Sequence, residues 1–253
     1  MDRLIHTALN SITNQRDQKQ IIAQNLANQT VPGFRRDLPN ENGTLFVDQF
    51  NALSTRAFQI EADQHAFLDT PGALTQSGEP MDVAIADQGY FLILPENGEP
   101  ALSRRGDLRT DSAGVLHDGA GDLMLGPDMQ PITLPPFRAV QINPLGEILI
   151  EPSDGAAGVW EAAGMLGTVV PPDDLRLGKS PDGLIRPLDG PMPEANQQAS
   201  VRQGFLEASN VNTVDELINM MEIQRAFELG IKLISTAQEA DEVGSQLLSA
   251  PEG

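Results

Sequence analysis

Between residues 3 and 28 apolar side chains recur at intervals of three and four: Leu4, Ile5, Ala8, Leu9, Ile12, Ile22, Ala23, Leu26 and Ala27. That spacing lays a narrow stripe along one face of a helix, interrupted by Arg16 and Lys19 and otherwise flanked by Gln, Asn and Asp. A helix of ~26 residues would run for ~40 Å. With so thin a stripe it gains too little in water by itself and needs a partner surface. In "NLANQTVPGFRR" (25–36) the pattern stops. Pro32 disfavours the α region at Val31, and Gly33 frees the backbone for a turn. Asn28 and Thr30 are placed to satisfy open backbone groups there, before Phe34 returns to apolar surroundings.

The other end of the chain repeats the theme. Over 212–249, Asn212 or Thr213 is the expected N-cap, with Asp215 and Glu216 in the first turn where negative charge suits the helix dipole. The apolar positions are Val214, Leu217, Met220, Met221, Phe227, Ile231, Ile234, Leu247 and Leu248. Met220, Phe227 and Ile234 are seven apart, a coiled-coil period held for two heptads. Two such helices either pair with each other, pair with helices of other copies, or pack as ordinary amphipathic helices on one globular core.

From about 78 to 200 the texture changes to short β-prone runs separated by turns. "GYFLIL" reads as a strand, "PENGEP" holds an Asn-Gly hairpin pair, and "DSAG" and "HDGAGD" are further turns. "AVQINPLGEILIEP" reads as two strands around "NPLG", and "VWEAAGMLGTVVPP" and "DGLIRPL" supply more. Most of the 19 prolines and 23 glycines fall here, which argues against helices. Residues 37–77 read as an extended connector with at most one strand pair. The fold class predicted is α+β: a β-rich central module flanked by long N- and C-terminal helices that pair in a coiled-coil-like assembly.

Charge narrows the partners. With 36 acidic and 16 basic residues the net charge is -20, a field that repels nucleic acid and anionic lipid. There are no cysteines, so disulfides, thiolate metal sites and a Cys nucleophile are excluded. Aromatics make up only 4%, with one Trp (Trp160) and one Tyr (Tyr90), which fits a modest core. No apolar run approaches the ~20 residues of a membrane span, and "MDRLIHTALNSITNQ" lacks the features of a cleaved secretory signal.

Candidate chemistry is sparse. His6, His65 and His117 are far apart and have no ligand spacing, so no metal is expected. "DGAGD" (118–122) has Ala120 where a calcium loop needs an oxygen ligand, and reads as a β-turn. Met124 stands where G-x-G-x-x-G requires its last glycine. No G-x-S-x-G elbow exists, and pairs such as Asp173 and Asp174 single out no glycosidase cleft. "SRRG" (103–106) reads as a hairpin edge with solvated arginines. No catalytic residue and no cofactor are expected.

Three stretches carry a resemblance. "NLANQTVPGFRR" is similar to the N-terminal signature of the flagellar basal-body rod and hook protein family through Asn25, Leu26, Ala27, Asn28, Pro32, Gly33, Phe34 and Arg35. Gln24 and Val31 stand where Asn and Thr are usual. "GFLEASNVNTVDELINMMEIQRAFE" resembles its C-terminal motif through Leu206, Glu207, Ser209, Asn210, Val211, Arg225, Phe227 and Glu228. "SGEPMDVAIADQGYF" and "SRRGDLRTDSAGVLHDGAGDLMLG" resemble its central motifs, with Ser103 and Leu108 in place of Thr and Phe. The length and the opening "MDRLIHTA" resemble proximal-rod members, with distal-rod members close behind and the larger hook proteins further off.

The resemblance implies a polymerising structural subunit of the hollow periplasmic rod, not an enzyme. Residues 1–32 and 201–253 would form the inner helical tube around the export channel, 33–77 a connector and 78–200 an outer β domain. The assembly interface would comprise Ile5, Leu9, Ile12, Ile22, Leu26, Phe34, Leu217, Met220, Met221, Phe227, Ile231 and Ile234. Partners implied are other copies, neighbouring rod proteins and the flagellar type III export apparatus, reached without a cleaved signal peptide. Two rival readings are a periplasmic or extracellular binding module and a cell-wall hydrolase.

Overall fold

A computed structural model describes residues 2–39, 44–47, 56–59, 66–96 and 98–249. The side chains of residues 2–9, 44–47, 56–59, 237 and 240–249 lie outside that description, and with them the expectations placed on Ile5, Leu9, His6, Leu247 and Leu248; His65 and Asn97 also lie outside the described residues. The chain divides into two compact units. One gathers 1–26, 39–62 and 212–253; the other, the body, comprises 27–38 and 63–211.

The first unit contains α1 (Asp2–Ala27), the hairpin of β1 (Thr44–Val47) and β2 (Arg56–Gln59), and later in the chain a second long helix, α2 (Thr213–Ser249). Asn212 is the N-cap of α2: its Oδ1 accepts the Val214 amide at 3.1 Å, and its carbonyl accepts the Glu216 amide at 3.0 Å. The two helices run antiparallel alongside each other. Going along α1, Ile12 meets Gly230, where an added Cβ would lie 3.7 Å from Ile12 Cγ1. The Lys19 ammonium sits 4.5 Å from the centre of the Phe227 ring, and Asn25 donates to Glu216 at 3.5 Å. On α2 the less exposed positions among the described side chains are Thr213, Glu216, Asn219, Met220, Ile223, Phe227, Gly230 and Ile234.

The body carries the remaining strands in chain order. These are β3 (Leu74–Gln76), β4 (Val83–Ile85), β5 (Tyr90–Leu94), β6 (Ala101–Ser103), β7 (Arg109–Thr110), β8 (Leu116–His117) and β9 (Leu123–Met124). There follow β10 (Phe137–Ile142), β11 (Glu147–Pro152), β12 (Glu161–Met165), β13 (Thr168–Val169), β14 (Leu177–Lys179), β15 (Ile185–Pro187), β16 (Val201–Gln203) and β17 (Phe205–Glu207). One sheet has the order β14-β15-β6-β5-β9-β8-β7 with β13 also on β5, and β10-β11-β12 form a separate meander. The "NPLG" segment does turn β10 into β11, with the Gly146 amide on the Asn143 carbonyl at 2.9 Å.

β5 explains why its sequence is apolar without alternation. Phe91 and Ile93 point into one core with Val83, Leu116, Met124 and Ile148, while Tyr90 and Leu92 point into another with Leu102, Leu125 and Ile185. Successive side chains of a strand face opposite ways, so a strand buried on both faces needs apolar residues at every position.

The segment 201–211, grouped above with the C-terminal helix, is extended instead. β16 pairs with β4 and β17 with β3, so the body's first and last described strands are neighbours. The supposed connector is also divided: β1 and β2 belong with the helices, whereas 33–38 and 66–77 belong to the body. Residues 201–207 lack helical spacing, and their pairing partners lie more than a hundred residues earlier in the chain.

Candidate functional site

The three motif stretches converge in the body on one buried cluster of charge. Pairing of β17 with β3 sets Glu207 opposite Leu74 and turns its side chain inward. Glu207 Oε1 accepts from Arg35 Nη1 at 2.5 Å and from the Gly72 amide at 2.8 Å, while Oε2 accepts from Arg104 Nε at 2.7 Å. All three side chains are no more than 1% exposed. The rest of the Arg104 guanidinium turns to backbone: Nη1 donates to the Asp87 carbonyl at 2.6 Å and to that of Gly89, and Nη2 to that of Ile85 at 3.2 Å.

Around this core sits a second ring. Lys179, at the end of β14, forms an ion pair with Asp37 at 2.6 Å and donates to the Arg35 carbonyl at 2.5 Å, with its ammonium 3.9 Å from the centre of the Phe34 ring. Tyr90 donates its hydroxyl to Asp69. Asn210 works as a three-way tie: its Oδ1 accepts the Arg36 amide at 2.6 Å, and its Nδ2 donates to the Leu68 and Thr70 carbonyls, each at 2.8 Å. Each of the three cations thereby has a carboxylate partner, Arg35 and Arg104 sharing Glu207 and Lys179 taking Asp37, while Asp69 is taken up by the Tyr90 hydroxyl.

Gly33 is required where it stands. Its φ is +68°, and an added Cβ would lie 2.3 Å from the Arg104 backbone. Its amide donates to the Glu207 carbonyl at 2.8 Å. The chain leaving α1 is thus pinned between the Arg104 and Glu207 segments.

Electrostatics follow burial. Desolvation holds Arg104 below the usual arginine range, opposed by Glu207. Desolvation likewise lowers Lys179, opposed by Asp37. Burial, then the bond to Asp69, pushes the Tyr90 hydroxyl well up. Each charged side chain here is spent on a partner already in the chain. The arrangement clamps segments together; it presents no activated nucleophile and no pair of acids poised across a cleft.

The reading of "SRRG" as solvated arginines is corrected by this cluster. Arg104 is 2% exposed, and only Arg105 behaves as a surface residue, forked onto Asp107 at 2.7 and 3.0 Å. Local sequence suggested solvent because the neutralising Glu207 lies 103 positions away. "HDGAGD" does form a turn, Asp118 Oδ1 accepting the Ala120 and Asp122 amides at 2.8 and 3.1 Å. Among the described residues no group of three His, Cys, Asp or Glu could hold a metal ion, and no helix is long and apolar enough to cross a membrane.

The motif residues fall into both units. In the body Pro32 and Gly33 lead into the cluster, Asn28 accepts the Val31 amide on its carbonyl at 3.1 Å, and Ser209 Oγ accepts the Val211 amide at 3.3 Å. Ala27 is exposed. In the helical unit Asn25 and Ile22 are buried and Leu26 half-buried. Of the proposed interface positions on α2, Met220, Phe227 and Ile234 are half-buried, whereas Leu217, Met221 and Ile231 are exposed. Asp37, Asp69 and Lys179 escaped sequence reasoning altogether; no local pattern marks them.

A sequence profile described as the C-terminal region of flagellar basal body rod FlgEFG proteins matches residues 202–247. The flagellar basal-body rod protein FlgF of Escherichia coli is 30% identical over 98% of this chain and 99% of its own length. The chain belongs to the flagellar basal-body rod protein family. FlgF of Salmonella typhimurium is 29% identical over 98% of the chain and 99% of its own length, and FlgG of Agrobacterium fabrum 25% over 97% and 99%. The likeness therefore favours FlgF over FlgG. As a rod-family member it is a structural protein of the bacterial flagellar basal body, serving motility. The cluster around Glu207 is where this rod protein spends its motif residues from both flanking motifs and the centre.

Proposed function

We propose that this rod-family chain polymerises through its terminal helices, coiled-coil fashion, into the hollow periplasmic shaft that transmits torque and surrounds the export channel. Its partners are other copies and neighbouring rod proteins, and it reaches the shaft through the flagellar type III export apparatus. The observation that carries this reading is the apolar surface that α2 leaves exposed, most of it turned away from the positions that meet α1. Val214, Leu217, Ile218, Met221, Leu229, Ile231 and Leu233 are all exposed, Val214 and Met221 at 63% and 56%.

Magnitudes say how that surface would work. Covering the exposed half of such a side chain yields roughly 1 kcal/mol. Seven of them give on the order of 5–10 kcal/mol, similar to the 4–15 kcal/mol lost when two molecules become one. A single neighbour is then marginal, and a lattice with several neighbours is favoured. A head-to-tail contact whose rotation does not close supplies such a lattice. The net charge of -20 keeps unassembled copies apart until those contacts form.

The double variant Leu217→Asp with Met221→Asp tests this. Both side chains are exposed, so the monomer should keep its helix content and its unfolding midpoint. Cells carrying it in place of the parent should lack rods and fail to swim. Full swimming with the double variant sinks the reading.

A further inference from the structure

The free edge of a sheet is where a folded chain can still pair, and this body closes several edges from within. On the outer side of β10, the Gln203 carboxamide accepts the Ile142 amide at 3.2 Å and donates to the Val140 carbonyl at 3.1 Å, as a neighbouring peptide would. Gln197 does the same beside β13, accepting the Thr168 amide and donating to the Leu166 carbonyl, each at 2.8 Å. Asn196 accepts the Val170 amide at 3.1 Å and donates to its carbonyl at 2.9 Å.

β12 has no such cover. It is the other edge of the β10-β11-β12 meander, and among the described residues no hydrogen bond joins Ala162, Ala163 or Gly164 to anything beyond β11. The strand fronts a groove of about 560 Å³ whose far wall is the 126–133 loop. Ala162, Ala163 and Gly164 in its middle are small, so a second backbone has room to approach; the floor under Gly164 is Ile132, whose Cγ2 would lie 3.1 Å from an added Cβ.

The groove is also negative. Asp128 and Glu147 line it and no basic residue does, and among the described residues neither carboxylate is in an ion pair. Glu161, exposed at the head of β12, adds a third. The geometry points to β12 as a docking edge for an extended segment of another protein, bearing basic residues at alternate positions and added as a fourth strand. Alternate positions of a strand share one face, so basic residues two apart would face the acidic walls together. A second copy of this chain does not qualify: its sequence contains no two Lys or Arg separated by a single residue, and it brings a net charge of -20.

Trp160, the sole tryptophan, immediately precedes β12 and is 42% exposed, so the full-length chain carries its own reporter. The probes are two blocked peptides, Lys-Thr-Lys-Thr-Lys and Glu-Thr-Glu-Thr-Glu, titrated while Trp160 emission and amide exchange of 161–165 are followed. The basic peptide should shift the emission saturably and slow exchange in 161–165, and the acidic one should do neither. Asp128→Asn with Glu147→Gln should weaken the basic peptide roughly tenfold, the worth of two exposed ion pairs. Equal binding of both peptides, unchanged exchange in 161–165, or self-association that protects those same residues would each overturn the proposal.

Discussion

The two units solve opposite problems. In the body, charge has been taken out of water and every cation in the Glu207 cluster is matched inside the same chain. In the helical unit, α2 sets one face against α1 and leaves apolar side chains between Val214 and Leu233 in solvent. A self-satisfied cluster adds nothing to association and much to holding one conformation. An uncovered apolar surface does the reverse. The contrast separates what fixes the shape of the subunit from what joins subunits, and each half can be broken without the other.

The largest effect is expected at Glu207. Glu207→Ala leaves the Arg35 and Arg104 guanidinium groups facing each other, buried and unneutralised. That should cost about 3–5 kcal/mol, the range for breaking a buried ion pair from one side. Denaturant unfolding of the full chain would measure it. Glu207→Gln keeps an acceptor but removes the charge, so it should fall between Ala and the parent. A loss under about 1 kcal/mol for Ala would mean the cluster is not what holds the segments leaving and entering the helices.

A smaller and more local effect belongs to the helical unit. Asn25 and Glu216 are buried and joined between α1 and α2. Asn25→Ala removes a donor from a buried carboxylate, worth roughly 1–3 kcal/mol. Because the partners belong to the helical unit, amide exchange should quicken in 213–230 and stay unchanged in β4, β5 and β11. Equal quickening in both would show that the two units open as one, and the comparison would fail.

What the sequence made legible follows the range of the interaction. Both helices, the Asn212 cap, the apolar run of β5 and the turn at "NPLG" depend on neighbours within a few residues, and periodicity or turn chemistry reports them. The charge cluster depends on pairs 103 to 172 positions apart, and nothing near Arg104 distinguishes a buried guanidinium from a solvated one. The same holds for Gln203, whose carboxamide closes a strand edge 63 residues away. The family motifs preserved the right residues without revealing why: Gly33, Arg35, Glu207 and Asn210 are spaced by the fold, not by the chain.

The smallest expected effect tests whether the body tolerates a charge it has not matched. Asp118 is buried and holds the "HDGAGD" turn through two amides, from Ala120 and Asp122. Burial pushes its carboxyl above the ordinary 3.8, with those amides opposing, Asp122 adding to the rise and Arg105 to the opposition. Between 3.8 and the raised folded value the folded chain holds more protons than the unfolded chain, so this residue's contribution to stability falls as pH rises through that window. Asp118→Asn keeps an oxygen for both amides and cannot ionise. Relative to the parent, the variant should therefore gain stability as pH rises from 3.8 through the window and hold that gain at neutral pH. Comparing the two unfolding midpoints across the acid range reads this group together with Asp122, whose charge is coupled to it. Parallel profiles would show that the body carries no unmatched buried charge at this turn.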